Sequence, residues 1–357
     1  MDNQIKFYFH IYSFSKWEAI NIYTEIIKEK IIGIKNEKNK VRIFSKLNFN
    51  QLLIIFFNLL KLILLSFFKN NLNRNFFIFG SFSILNILIC ILLSKLGYIT
   101  VFLIHDVNAH SGAGLKTFFT NLFTKIICNS KTKIVVFSNY SLKILNKKFP
   151  LARIDNHVIP LYSFLEESRF YKEIRNNLLS SSSIYNSRII LFGRNEEYKG
   201  FDYIYNKAYK ENIFRGKWMF LGSGMLSLSK KHQKETGKIF IKDCFYSREE
   251  LIRYLKDSSL TLIAYKEMTQ SAVIYDSMAL GLDVFTLHYP FVDEVLGYPG
   301  LKIFKSKKLM FQCLRDYIPL TPQKRLKSID YYQKNFSKKR SKLAATLLID
   351  SLIKKDF

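Results

Sequence analysis

Short apolar runs recur through this chain, each followed by enough residues for a helix, and this alternation restricts the fold more than any other feature. In the first half the runs are Lys6–Tyr12, Val41–Ser45, Phe76–Phe79, Thr100–Ile104, Lys133–Ser138 and His157–Pro160. In the second they are Arg188–Phe192, Trp218–Gly222, Lys238–Ile241, Leu260–Ala264, Val284–Leu287 and Leu301–Phe304. Strands alternating with helices imply parallel, doubly wound sheets. A strand covered on both faces reads as a continuous apolar run. The two series are separated by Glu166–Ser187, a polar stretch with four consecutive serines, Ser180–Ser183, which reads as an interdomain connection. At 357 residues the chain is long for one core. The expected organisation is therefore α/β: an N-terminal domain over 1–165, a linker over 166–187 and a second domain over 188–325. A basic amphipathic helical tail over 326–357 follows, free to pack back on the N-terminal domain. Two such sheets facing each other leave a cleft at the carboxyl ends of their strands, where open α/β sheets bind ligands.

Residues 189–208 read IILFGRNEEYKGFDYIYNKA. A strand runs into Gly193 and Arg194, a polar loop follows, then Lys199, Gly200 and a helix. Arg194 offers a planar fork and Lys199 a point charge, beside the positive end of a helix. Glycines at 193 and 200 let the backbone approach a ligand closely. Taken alone, the same residues fit a basic surface turn. A second segment changes that balance. Residues 260–287 read LTLIAYKEMTQSAVIYDSMALGLDVFTL. Here a strand leads into Thr269, Gln270 and Ser271 near a helix start, where hydroxyls, an amide and free backbone N–H groups suit a diphosphate. Each of the two turns closes an expected parallel strand of one domain.

With these residues in view, the chain resembles the retaining GT-B glycosyltransferases often labelled group 1. The family's phosphate turn is matched by Gly193, Arg194, Lys199 and Gly200. Its strand, loop and helix ending in an E-A-M-A-x-G pattern are matched by Ala264-Tyr265 and by Asp276-Ser277-Met278-Ala279-Leu280-Gly281. Leu221-Gly222-Ser223-Gly224 resembles its x-G-x-G strand end, and Tyr246-Ser247-Arg248-Glu249-Glu250-Leu251 one of its helix starts. The Thr-Gln-Ser loop is similar to that of a bacterial subgroup that builds surface polysaccharides. The match covers about residues 100–300. The resemblance implies the GT-B fold, two Rossmann-like domains facing a cleft. It also implies transfer of a hexose-type sugar from a nucleotide-sugar donor to a saccharide acceptor, with retention of configuration. The family's paired glutamates are not intact: Asp276 stands at the second position and Met268 at the first, with Glu267 one residue off. The second acid is implied to hold the nucleotide ribose, which a shorter Asp276 can still do.

On the N-terminal side, residues 102–114 read FLIHDVNAHSGAG. This resembles the family's loop at the cleft floor. The resemblance implies that His105 contacts the donor sugar or helps order the acceptor. Asp106 would serve as base or orienter of the acceptor hydroxyl, with His110 and Ser138 on the acceptor side. Glu294, after the strand Val284–Leu287, falls where the family often carries an acid against the donor. A metal ion is not expected: the spacing of His105, Asp106 and His110 fits no standard site. No D-x-D sequence occurs, and fixed cations can take a metal's place at a diphosphate. No cofactor is expected beyond the nucleotide sugar itself.

Lys and Arg number 55 against 28 Asp and Glu, a formal net charge of +27. Such a field attracts polyanions. Nucleic acid, anionic lipid or a phosphorylated substrate would fit, as would compositional drift in a Lys-, Ile-, Asn- and Phe-rich chain. Leu52–Phe68 is an oily stretch with basic flanks, suited to a core helix or to a bilayer interface. Phe76–Ser94 carries no charge and is long enough to span a bilayer; it also reads as strand, turn at Gly80-Ser81 and buried helix, the preferred reading. The start, MDNQIKFYFHIYSF, lacks a signal-peptide pattern, and the four scattered cysteines read as reduced core residues. The expected setting is cytoplasmic and peripheral, at the inner face of the plasma membrane. The expected partners are an anionic lipid surface and a lipid-linked saccharide acceptor, in O-antigen or capsule assembly. Aromatic residues fall mostly at core spacing, which disfavours nucleic acid as a partner. The alternatives are an inactive relative that scaffolds a membrane assembly, or a basic nucleic-acid-binding protein.

Overall fold

A computed structural model of the chain describes residues 8–12, 40–44, 75–79, 84–104, 107, 115–128, 130, 132–150, 157–180, 188–211, 213–229, 237–268 and 270–354. The chain divides into two compact units, Met1–Pro160 with Ser341–Phe357, and Leu161–Arg340. Each contains one six-stranded sheet, and every strand pairing in both is parallel.

In the first unit the strands are β1 (Tyr8–Tyr12), β2 (Lys40–Phe44), β3 (Asn75–Phe79), β4 (Ile99–Ile104), β5 (Lys133–Val136) and β6 (His157–Val158). Their order across the sheet is β2-β1-β3-β4-β5-β6. The described helices are α1 (Ile84–Lys95), α2 (Leu115–Cys128) and α3 (Asn139–Lys148). Strand β4 is buried along nearly its whole length because helices cover both faces of a parallel sheet. Phe77, Phe79, Ile87, Leu93, Phe102 and Ile104 belong to the core beneath α1 and α2. The stretch Phe76–Ser94 is therefore a strand and a packed helix leading to β4. Among the described residues no helix is long and apolar enough to cross a membrane. Leu52–Phe68 lies outside the described residues. Cys90 and Cys128 are buried, and burial pushes both thiols up to about 12.

In the second unit the strands are β7 (Arg188–Phe192), β8 (Lys217–Leu221), β9 (Ile239–Lys242), β10 (Leu260–Ile263), β11 (Asp283–Leu287) and β12 (Leu301–Phe304). Their order is β12-β11-β10-β7-β8-β9. From β7 the chain winds outward through β8 and β9, then returns to β10 and winds the other way, so the winding reverses between β7 and β10. That gap is where a doubly wound sheet opens a crevice at its carboxyl edge. The helices are α4 (Phe170–Ser180), α5 (Phe201–Lys210), α6 (Leu226–Ser229), α7 (Arg248–Lys256), α8 (Ala272–Ala279), α9 (Lys307–Arg315), α10 (Pro322–Phe336) and α11 (Lys338–Lys354), the last ending within the first unit.

Helix α4 occupies half of the polar stretch that the sequence presents as a linker. Lys172, Glu173 and Asn176 are exposed, while Ile174 joins a core with Leu251, Leu255, Leu280 and Ile329, and Phe170 and Tyr171 pack against it. Apolar positions at 170, 171 and 174 have helical spacing, which the run of serines obscures. Helix α7 begins with a capping box: Ser247 accepts from the Glu250 backbone N–H, and the Glu250 carboxylate accepts from the Ser247 N–H. Replacing Ser247 by Ala removes one half of that exchange. It is expected to lower the unfolding free energy by about 1 kcal/mol in urea denaturation, with ligand affinity unchanged.

Candidate active site

The site is built at the carboxyl edge of the second sheet, where β7 and β10 end side by side. After β7 the chain turns at Gly193 (φ 112°), forms a short 3-10 turn over Glu197–Lys199, and enters α5 through the left-handed Gly200 (φ 68°). The turn is locked from beneath by the end of β8. Gly193 donates to the Leu221 carbonyl, and Asn195 N–H to that of Ser223. A Cβ on Gly222 would lie 1.9 Å from the Gly193 carbonyl oxygen, so only glycine lets these two backbones meet. Asn195 Nδ2 also donates to Gly224 O and Ser227 Oγ, while the Asp243 carboxylate accepts from Gly224 N and Leu226 N. The ends of β7, β8 and β9 thus form one hydrogen-bonded rim.

The turn after β10 is joined to this rim directly. Lys266 N–H donates to the Tyr198 carbonyl at 2.6 Å, and the Lys266 ammonium pairs with Glu197. Tyr265, buried, lies edge-on to Tyr198 with ring centroids 5.6 Å apart, and its hydroxyl is hydrogen-bonded with Ser271 at the start of α8. The two turns singled out in the sequence, one at Gly193–Gly200 and one before Ser271, therefore sit against each other with Tyr265 as the bridge.

Lys199 stands between them. Its side chain folds back over the turn, so that Nζ lies 2.9 Å from where a Cβ on Gly193 would be. The residue is only 9% exposed. The rings of Tyr198, Phe201 and Tyr265 surround the ammonium with centroids at 5.9 Å each. Such cation–π contacts contribute from about 0.5–1 kcal/mol at exposed sites to about 2 kcal/mol when desolvated, and none of them gives the ammonium a hydrogen-bond acceptor. Among the described residues Nζ makes no hydrogen bond and no ion pair. Burial holds its pKa down at about 8, assisted by the nearby Arg194 and opposed by Glu196. A buried cation over glycine backbone, with no acceptor among the described residues, has the chemistry to take an anion.

The other expected site residues fall in different surroundings. Arg194 is at the solvent edge, its side chain 54% exposed, and pairs with Glu196 at 3.1 Å. Gln270 and Ser271 are buried at the start of α8; Ser271 occupies the N-cap position without capping through its side chain. Asp276, further along α8, accepts a 2.6 Å hydrogen bond from Ser163 Oγ. Burial raises its carboxyl to about 7, with the Ser163 bond and Arg248 opposing that shift. Met268 is buried. Glu294 lies in the 3-10 turn Pro290–Val295, close enough to Tyr275 of α8 to disfavour that phenol's ionisation. Ser138 caps α3, accepting from Ser141 N–H and donating to Ser141 Oγ. His105, Asp106, His110 and Thr269 lie outside the described residues. Among those that are described, no group of three or more His, Cys, Asp or Glu side chains is placed to hold a metal ion. Tyr198, Asn195 and Asp243 were not evident from sequence; nothing in their spacing marks them, and their roles emerge only from strand order, as does the bridging role of Tyr265.

This geometry coincides with a known architecture. No family model and no curated protein matches the chain by sequence. Solved structures match it over nearly its whole length. A sucrose-phosphate synthase from Thermosynechococcus elongatus is 12% identical, with a TM-score of 0.64, covering 98% of this chain and 100% of the other. Anabaena HepE, solved in complex with UDP, is 13% identical, with a TM-score of 0.62 over 98% and 100%. A glycosyltransferase from Rickettsia africae is 14% identical, with a TM-score of 0.61 over 98% and 99%. The chain has the GT-B fold. At this level of identity the likeness establishes the architecture and leaves the chemistry to the residues of the site.

The buried ammonium has a consequence for stability that can be measured without a ligand. Its folded pKa, about 8, is below the ordinary lysine value of about 10.4. The unfolded chain therefore binds more protons between these values, and stability rises with pH across that window. Replacing Lys199 by Met removes the penalty. The variant is expected to be more stable than wild type by on the order of 1–3 kcal/mol below pH 8, the difference shrinking towards pH 10. Denaturant unfolding over this range checks both the sign and the window.

Proposed function

We propose that the protein is a glycosyltransferase that takes a sugar from a nucleoside-diphosphate donor, with the donor diphosphate seated on Lys199 and the backbone of the Gly193–Gly200 turn. The single observation that carries this reading is the buried, unneutralised ammonium at the switch point of the second sheet. A diphosphate oxygen supplies the acceptor that Lys199 lacks, and the start of α8 adds backbone donors. Arg194 reaches the same anion on exchanging Glu196 for it. As the nucleotide leaves, charge develops on the diphosphate; positive groups already in place stabilise it without reorganisation. In this reading these groups do the work of a divalent metal and none is required. HepE, which shares the fold, was solved with UDP and with UDP-glucose, and this supports a uridine nucleotide as donor.

Further parts of the reading rest on the family resemblance. Asp276 holds the ribose, with Gln270 and Glu294 toward the donor. His105 and Asp106 serve the reacting sugar and the acceptor hydroxyl, and His110 and Ser138 lie on the acceptor side. The hexose is transferred with retention, the acceptor hydroxyl arriving on the face the nucleotide leaves. The acceptor is a lipid-linked saccharide at an anionic membrane surface, in assembly of a surface polysaccharide of the O-antigen or capsule kind. The net charge of +27 suits such a surface.

Thermal shift against a panel of nucleotide sugars, followed by transfer assays, tests the reading. At least one nucleoside-diphosphate sugar is expected to raise the melting temperature of the wild type. Lys199→Met is expected to abolish that shift and lower kcat/KM by on the order of a hundredfold. Wild-type transfer by a folded Lys199→Met variant would remove the seat from the mechanism. Indifference of the wild type to every nucleotide sugar would remove the function.

A further inference from the structure

Helix α11 has an inward and an outward face. Inward, Ser341, Ala345, Leu348 and Ile349 are buried, and Ser341 donates to the Pro160 carbonyl. Outward, two leucines interrupt the polar face that a helix turned to water normally presents. Leu343 and Leu347 are 50% and 60% exposed. They stand one turn apart, on a line that continues back to exposed Lys339. Exposed Arg340 and Lys342 flank the same stripe. Asp350 and Lys354 are the only other charged residues of the helix beyond Lys338, and Lys338 is engaged with Glu167 in an ion pair. Leucines exposed at helical spacing and bordered by cations form the amphipathic pattern that lies in a bilayer interface. There the leucines enter the acyl boundary and the cations meet anionic headgroups.

We infer that α11 is the element by which the protein docks on an anionic lipid surface, with Leu343 and Leu347 inserted and Lys339, Arg340 and Lys342 on the headgroups. This rests on the membrane setting in the proposed function and gives it a definite surface. An anionic bilayer is favoured over a protein partner because three exposed cations, Lys339, Arg340 and Lys342, border the apolar stripe against one acidic residue on its line, Asp350. It is favoured over nucleic acid because the centre of the stripe is leucine. The donor seat lies on other elements, so docking and nucleotide binding are separable.

Flotation of the full chain with lipid vesicles tests the inference. Vesicles of phosphatidylcholine mixed with phosphatidylglycerol are compared with vesicles of phosphatidylcholine alone. Wild type is expected to float with the anionic vesicles and to remain behind with the neutral ones. The double variant Leu343→Glu with Leu347→Glu is expected to bind at least about tenfold more weakly. Lys339→Glu with Lys342→Glu, which leaves the apolar stripe intact, is expected to lose binding comparably. Both variants should keep the wild-type melting temperature and its shift with nucleotide sugar. Wild type that ignores anionic vesicles would overturn the inference and the membrane setting together. Wild type that floats while both folded variants float equally well would overturn the inference alone. So would loss of flotation only on changing Leu88 and Leu92, the exposed pair on α1.

Discussion

A lysine ammonium buried without a counter-ion among the described residues is what the second unit is arranged to tolerate. Left to itself, such a group reaches water or loses its proton. Here the turn denies it the first course. Gly193 leaves no side chain in its way, Gly200 brings the helix in at a left-handed step, and three aromatic rings close around it. The second course is half taken, since its pKa has already fallen to about 8. The rest of the rim reads as the support this arrangement requires. Gly222 admits the backbone of Gly193, Asn195 and Asp243 bind the loop ends together, and Tyr265 carries the contact across to α8. The fold sacrifices stability at this point, and in the proposed function an anion returns it on binding.

Helix α8 links that seat to a second buried network. Asp276 accepts from Ser163, whose own N–H donates to Tyr332, and the Tyr332 hydroxyl donates to Glu166. Glu166 also accepts from the backbone of Lys338 at the start of α11. A carboxylate on the proposed donor helix is thus tied through hydroxyls to both ends of the unit's chain. Desolvation raises the pKa of Asp276 and of Glu166, so neither is there to strengthen the fold by charge. Their hydrogen bonds fix where α8 sits relative to α10, and with it the position of Ser271 beside Tyr265.

Much of the fold was legible because fully buried parallel strands leave an unambiguous trace. All twelve strands of the described residues appear within two residues of the apolar runs, β7 and β12 on the same residues. The passage from β3 through α1 to β4 was legible for the same reason, despite its membrane-like composition. Helix α4 was not, since one buried stripe at Phe170, Tyr171 and Ile174 is diluted by serine, asparagine and charge. Of the site, the two turns could be read because glycine and cations mark the first, and hydroxyls and an amide before a helix mark the second. Their union could not, because it depends on β10 returning to lie beside β7, a long-range choice without a local signature. Nor could the partner of Asp276, which lies 113 residues upstream. Ser138 has a second part that only the structure shows: its hydroxyl caps the next helix.

Calorimetric titration of wild type and Lys199→Met with UDP, below and above pH 8 and in buffers of different ionisation enthalpy, tests the central claim most directly. Seating an anion on the ammonium must raise its pKa. Wild type should therefore bind UDP more weakly above pH 8 and take up a proton as it does so, and the variant should show neither the affinity nor the uptake. UDP binding of equal strength and equal proton balance in the two proteins would contradict the account.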